Sequence, residues 1–231
     1  MNTASTEIFA RNWRIYQEIL EQNYMFHHNL SQKIFRFLRK HRFSSPFNVL
    51  DAGCGDAYML SNLLKNISVN SFTGYDMSSQ ALSIAKENLH ALKTEVKLVQ
   101  GPMESSIKKE DTTFGLIYSS FAIHHLDDHG KKELLRGFYN HLREGGIFIA
   151  IDIMRDQKLS REEYLEEYIE HIATKWTMIS DSDKELIYNH MRNFDFPAIN
   201  DNFLEWLKEA GFNLVHRFDP DSRNVMLIAQ K

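Results

Sequence analysis

Apolar residues recur at three- and four-residue intervals through the start of the chain: Ile8, Phe9, Trp13, Tyr16, Ile19 and Leu20, then Leu30, Ile34, Phe37 and Leu38. That spacing lines one face of a helix and predicts amphipathic helices from Ile8 to about Leu38. Ser44-Ser45-Pro46 interrupts it, because the residue before a proline is pushed out of the helical region. The pattern then changes. Apolar runs beginning at Phe47, and at Ser71–Tyr75, Val96–Val99, Gly115–Tyr118 and Ile147–Ile153, read as strands. Helical stretches at Ala57–Asn66, Ser79–Leu92 and Lys131–Leu142 separate them. Such alternation predicts a parallel sheet with helices on both faces. From Ser160 to Met191 the chain is helical again and rich in Glu and aromatic residues, and a last helix at Asp201–Ala210 is stopped by Gly211. Two strands, Phe212–Phe218 and Asn224–Ala229, flank Asp219-Pro220-Asp221-Ser222 and predict an antiparallel hairpin. The expected sheet has seven strands.

Composition narrows the partners. There are 27 Lys and Arg against 31 Asp and Glu, a net charge of -4, which gives no broad footprint for nucleic acid or anionic membrane. The basic cluster Lys33, Arg36, Arg39, Lys40 and Arg42 reads as a solvated helix end whose cations complement the helix dipole. Cys54 is the single cysteine, so a disulfide framework and a multi-cysteine metal site are both excluded. A cytoplasmic protein is expected, with no run approaching the roughly 20 apolar residues of a membrane span.

The most informative stretch is Val49-Leu50-Asp51-Ala52-Gly53-Cys54-Gly55-Asp56-Ala57, where an apolar strand runs into glycines and then a helical pattern. Gly53 and Gly55 can take positive φ and let a ligand approach the backbone closely. Asp76 closes the next strand, where a carboxylate can accept both hydroxyls of a ribose. A dinucleotide fingerprint would need a third glycine where this chain has Tyr58, and Asp51 would repel a phosphate but hold an ammonium. The expected ligand is a nucleoside carrying an amino acid.

These residues resemble the class I S-adenosylmethionine-dependent methyltransferases. Asp51-Ala52-Gly53-Cys54-Gly55 is similar to that family's first motif, Gly74-Tyr75-Asp76-Met77-Ser78 to its second-strand end, the Phe114–Leu126 segment to its fourth strand and following turn, and Leu142-Arg143-Glu144-Gly145-Gly146 to the turn before its fifth. The resemblance implies an α/β, Rossmann-like doubly wound sheet with a helical N-terminal cap and a helical insertion after the fifth strand. It implies one domain over 1–231: a cap at 1–43, a cofactor-binding core at 44–154, a lid insertion at 155–200, and the last helix and hairpin at 201–231. It implies S-adenosylmethionine as cofactor and S-adenosylhomocysteine as product, with Asp51, Gly53, Cys54, Gly55, Asp76, Met77, Pro102, Met103 and Ser119 as cofactor neighbours. The family's aspartate after the third strand is absent, since Gly101 is followed by Pro102, Met103 and Glu104. Glu104, or backbone groups near Met103, are left to meet the adenine amine.

Methyl transfer needs the acceptor held about 3 Å from the methyl carbon, aligned and desolvated. Where the acceptor must lose a proton, His124 is the expected base, with His125 beside it. Tyr16, Tyr24, His28 and Trp176 are expected to shape the acceptor pocket, within two aromatic-rich regions that resemble a lid. Tyr164, Tyr168, His171 and His190 fall in the same regions. No metal is expected, because neither His27-His28 nor His124-His125 has the i, i+4 spacing of a helical zinc site and His129 adds no such pair. A small-molecule acceptor is expected, in a monomer or homodimer. The alternatives are a silent cofactor-binding regulatory subunit or a tRNA or protein methyltransferase.

Overall fold

A computed structural model describes residues 13–41, 43 and 46–231. Ile8, Phe9 and Arg42 lie outside them. The first helical stretch is two helices, α1 at 13–21 and α2 at His27–Lys40, because Asn23 (φ 56°) and Phe26 (φ 60°) take left-handed backbone between them.

Seven strands follow in one mixed sheet: β1 (Phe47–Ala52), β2 (Val69–Asp76), β3 (Glu95–Gln100), β4 (Phe114–Ser120), β5 (Leu142–Arg155) and the terminal pair β7 (Asn213–Phe218) and β8 (Asn224–Gln230). An eighth, the two-residue β6 (Ala198–Ile199), pairs only with the end of β5 and escapes sequence reading because it is so short. The order is β3-β2-β1-β4-β5-β8-β7, parallel through β5 and antiparallel at β5·β8 and β8·β7. β4 is buried along nearly all its length, as a strand covered on both faces must be. Connections leave β1 toward β2 on one side and return to β4 on the other, so the crevice beyond the carboxyl ends of β1 and β4 is a topological switch point, where doubly wound folds bind ligands.

Helices α3 (Tyr58–Leu64) and α4 (Ser79–Leu89) join α2 over one face, around Leu30, Ile34, Leu60, Phe72 and Leu116. The short α5 (Met103–Ser106), α6 (Asp128–His141) and α9 (Asn200–Ala210) cover the other, around Ile107, Phe114, Phe138, Phe148 and Trp206. α6 starts three residues earlier than its apolar pattern, because the Asp127 side chain accepts the Gly130 amide at 2.7 Å and caps it. Gly211 ends α9 at φ 109°, as expected.

The 155–200 insertion folds as α7 (Arg161–Lys175) and α8 (Asp181–Phe194). A capping box between Ser160 and Glu163 starts α7, and the Ser180 side chain caps α8. Their apolar faces form a third cluster with α1: Ile15 and Ile19 pack among Tyr164, Leu165, Tyr168, Ile172, Trp176 and Tyr188. Tyr24 stacks on Trp176 with ring centroids 5.0 Å apart, and its hydroxyl accepts the Met178 amide at 2.9 Å. Helix α1, the turn after it and the insertion are thus one packed unit against the sheet. Among the described residues no helix is long and apolar enough to cross a membrane.

Candidate functional site

The turn between β1 and α3 is built backward from its hydrogen bonds. The amides of Gly53 and Cys54 both donate to the Tyr75 carbonyl, at 2.8 and 2.9 Å, so the chain folds over the end of β2. Gly53 sits at φ 76°, and a Cβ there would come 2.3 Å from the Ala122 side chain. Gly55, at φ 51°, has nothing within 4 Å of that position and opens on free space. Ala57 also takes positive φ (54°), which delays α3 to Tyr58 instead of the expected Ala57.

Asp76 closes the construction. Its Oδ2 accepts the Gly55 amide at 2.8 Å and its Oδ1 the Ser78 amide at 2.8 Å, leaving further lone pairs on each oxygen for a ligand. The Gly101 amide donates to the Asp76 carbonyl at 2.9 Å, which brings Pro102 and Met103 alongside.

These turns enclose a cavity of about 560 Å³ at the carboxyl ends of β1, β2 and β4. Of the residues expected at a cofactor, Asp51, Gly53, Cys54, Gly55, Asp76, Met77, Pro102 and Met103 line it, as does Glu104. Ser119 does not: its side chain is fully buried behind the wall and donates to the Ala52 carbonyl at 2.7 Å, while Ser120 and Phe121 face inward. The left-handed backbone at Phe121 (φ 51°) turns the chain there.

The cavity is acidic. Asp51, Asp56, Asp76 and Glu104 line it, and no Lys or Arg is among its described lining residues. Burial, reinforced by the charges of Asp76 and Asp56, holds the Asp51 carboxyl well above the usual carboxylate range. Burial also raises Asp56 and pushes the Cys54 thiol up, the latter with help from Asp51. A cationic ligand relieves this crowding. Tyr16 of α1 lines the same space, its hydroxyl pKa raised by burial and by Asp56 and Asp51.

The other expected acceptor residues are placed elsewhere. Tyr24 and Trp176 satisfy each other's faces away from the cavity, and His28 is an exposed residue whose amide donates to Asn23. His124 is buried and does not line the cavity, while His125 does. Asp152 on β5 explains the difference: it accepts the His124 amide at 2.9 Å and lies 2.5 Å from His124 Nδ1, drawing the ring inward. Burial lowers the His124 pKa, but the charge and hydrogen bond of Asp152 and the charge of Asp195 outweigh it and the net shift is upward.

Asp195 is the residue the sequence did not flag. It follows α8, and its buried Oδ1 lies 3.6 Å from His124 Nε2, 3.4 Å from His125 Nδ1 and 3.6 Å from His190 Nε2. Only the fold brings it there. Lys131, itself buried, fixes the junction by donating to the carbonyls of Leu126 and Phe196, and the Phe196 amide donates to the His124 carbonyl at 2.7 Å. No apolar periodicity marks Asp195, so no sequence signal singled it out.

Comparison with known proteins agrees with this geometry. Residues 49–146 match the family model described as a methyltransferase domain. Over 119 residues the chain is 28% identical to a ribosomal protein L11 methyltransferase of Staphylococcus aureus, a match covering 52% of this chain and 36% of that protein. The aligned part therefore spans about a third of that relative. An O-methyltransferase family protein from Burkholderia thailandensis superposes with a TM-score of 0.63 at 14% identity, over 87% of this chain and 56% of that one. An O-methyltransferase family 2 protein from Planctomyces limnophilus, solved in complex with apigenin, does so at 0.60 and 15%, over 81% and 50%. With the glycine turn, the aspartate at the end of β2 and the sheet order in place, residues 49–146 form a methyltransferase domain with the class I fold, a fold whose family uses S-adenosylmethionine.

Proposed function

We propose that this protein transfers a methyl group from S-adenosylmethionine to a small-molecule acceptor. The observation that carries the reading is a cavity without Lys or Arg among its described lining residues, in which Asp76 is held by two amides and Asp51 is buried beside it. That donor set fits a cationic nucleoside and not a pyrophosphate.

In this reading Asp76 accepts the ribose hydroxyls and Asp51 the ammonium. Gly53, Cys54 and Gly55 admit the amino acid end against bare backbone, and Met77, Pro102 and Met103 flank the base, where thioethers pack well on rings. The cofactor supplies an electrophilic methyl on a sulfonium, and its displacement neutralises charge, so a dry, oriented cavity does most of what is required. Tyr16 lies over the cavity on the acceptor side. A proton leaving the acceptor is taken up at the end His125 lines, with His124 and Asp152 behind it. The whole of 1–231 then works as one domain, with 1–43 as cap, 44–154 as cofactor core, 155–200 as the insertion that supports the cap, and 201–231 completing the sheet.

Two findings favour a small acceptor: the cavity beside α1 is aromatic and acidic, and a protein of similar fold was solved with apigenin. The relative named for ribosomal protein L11 favours a protein acceptor over the shared segment. Isothermal titration with S-adenosylmethionine and S-adenosylhomocysteine, followed by transfer of radiolabelled methyl to phenols, amines, carboxylates and ribosomal protein L11, separates the readings. Binding with transfer to a small acceptor is expected. Transfer to the ribosomal protein alone would replace the acceptor class, and binding without transfer to anything would leave a regulatory subunit. Absence of binding by folded protein would overturn the reading.

A further inference from the structure

Three imidazoles meet at Asp195 without a conventional hydrogen bond to its Oδ1. That oxygen is buried and has no hydrogen-bond partner, yet imidazole nitrogens of His124, His125 and His190 surround it at 3.4 to 3.6 Å. The spacing is long for hydrogen bonds. It is the spacing of donors that share one ion: with metal–nitrogen and metal–oxygen bonds near 2.1 Å, the edge of a coordination tetrahedron is about 3.4 Å.

We propose that His124 Nε2, His125 Nδ1 and Asp195 Oδ1 bind a divalent transition-metal ion of the zinc class at the rim of the cavity. The donor atoms of these three residues lie within 4.8 Å of one another. His190, half-exposed on α8, stands next to them and supplies a fourth ligand or yields that position to water.

The surroundings are those of a metal-binding histidine. Asp152 engages Nδ1 of His124, which orients the ring and aims Nε2 at Asp195. Either a proton or a metal ion between Nε2 and the carboxylate oxygen satisfies both, and the 3.6 Å gap is longer than a proton-bridged contact and matches an ion-bridged one. Asp152 is itself held in place by the amides of His124 and Ile153. The Asp195 backbone is anchored by Arg161, whose Nε donates to its carbonyl at 2.7 Å. Lys131 spends its donors on two loop carbonyls and approaches Asp128, not Asp195. His125 Nδ1 also lies 3.1 Å from the Phe194 carbonyl, and coordination replaces that contact. Two imidazoles and one carboxylate suit zinc, cobalt or nickel over calcium or magnesium, which prefer all-oxygen sites.

Local spacing hid this site, since Asp195 and His190 come from the insertion and the histidine pair from the turn after β4. The ion would pin the end of the insertion to the core. With it bound, His125 would be a ligand and not a base. This last consequence rests on the methyl-transfer reading; the binding site does not.

The test is titration of the chelator-treated full chain with cobalt(II) chloride, followed by visible absorption, then displacement with zinc chloride. One equivalent of cobalt with intense d–d bands, bleached by zinc, is expected. Asp195→Asn and His124→Gln should weaken cobalt binding at least tenfold. Asp152→Asn, which touches the ion only through His124, should weaken it by about 10- to 100-fold. His129→Ala, on the exposed start of α6, should leave it unchanged. Circular dichroism and S-adenosylhomocysteine titration on each variant report folding and the cofactor site separately. Should a buried variant fail to fold, His125→Ala carries the same test from a half-exposed position. No bands from folded protein, or bands that survive the ligand substitutions, would overturn the site.

Discussion

Gly55 donates its amide to Asp76 Oδ2 at 2.8 Å, joining the turn after β1 to the end of β2. One bond therefore sets both the shape of the glycine turn and the aim of the carboxylate that the proposed ribose would meet. Replacing Asp76 by Ala removes two charge-assisted hydrogen bonds to the protein and those to the ligand. S-Adenosylhomocysteine should then bind about 10- to 100-fold more weakly by calorimetry, the equivalent of one lost bond to a charged group. Unchanged affinity would remove Asp76 from the site.

The two glycines of that turn should respond unequally to alanine. At Gly53 the new Cβ meets both a positive φ and the Ala122 side chain at 2.3 Å, so Gly53→Ala should cost about 2–4 kcal/mol in urea unfolding. At Gly55 only the backbone preference is lost, and the cost should be about 1–2 kcal/mol. Equal losses would mean that the Ala122 contact is easily relieved.

Asp51 makes ligand binding depend on pH. Its carboxyl, raised by burial and by Asp76 and Asp56, binds a proton more tightly folded than unfolded. Stability of the ligand-free protein should therefore fall as pH rises from the ordinary carboxylate range toward the raised value. A cationic ligand favours the ionised form, so S-adenosylmethionine should bind more tightly as pH rises across the same window, releasing a proton. Calorimetry in buffers of different ionisation enthalpy measures that proton, and Asp51→Asn should abolish its release.

His27 contributes the opposite slope. Buried against Phe121, with a Nδ1 that has no hydrogen-bond partner, it is pushed down to about 4, first by burial and then by His28. The folded state excludes its proton, so this contribution is complete above pH 6.5 and is lost as pH falls from there toward 4. The loss is at most on the order of 3 kcal/mol. His27→Phe should flatten the acid limb of stability measured by urea unfolding between pH 7 and 5.

Tyr24 and Trp176 are expected to matter for stability and not for the acceptor. A double-mutant cycle with leucine at each position should return a coupling of about 0.5–1.5 kcal/mol, the worth of a stacked pair beyond its area. Acceptor KM should not change. A KM shift without coupling would return both rings to the pocket.

What the sequence made legible divides along physical lines. Strands buried on both faces announce themselves as continuous apolar runs, and Asp51, Gly53 and Asp76 stand at turns whose geometry restricts residue choice, so the fold and the turns that line the cavity were readable. Ser119 lies behind the cavity wall because in a strand consecutive side chains face opposite sides, and here Ser120 faces inward. The adjacent histidines could not be told apart without Asp152, which turns one ring away from the cavity. Tyr24 and Trp176 lie off the cavity, where the sequence could not place them, because an aromatic ring on an amphipathic helix reads the same whether it meets a ligand or another ring.

α1 has two faces with different audiences. Tyr16 looks into the cavity, while Ile15 and Ile19 are embedded in the insertion, none of whose residues lines the cavity directly. The insertion reaches the cavity at second hand, through the tilt and depth of α1 and through Asp195 and Phe194 against His125. Substitutions along α7 and α8 can therefore reshape the α1 side of the cavity while the glycine turn and Asp76 on its other side stay untouched.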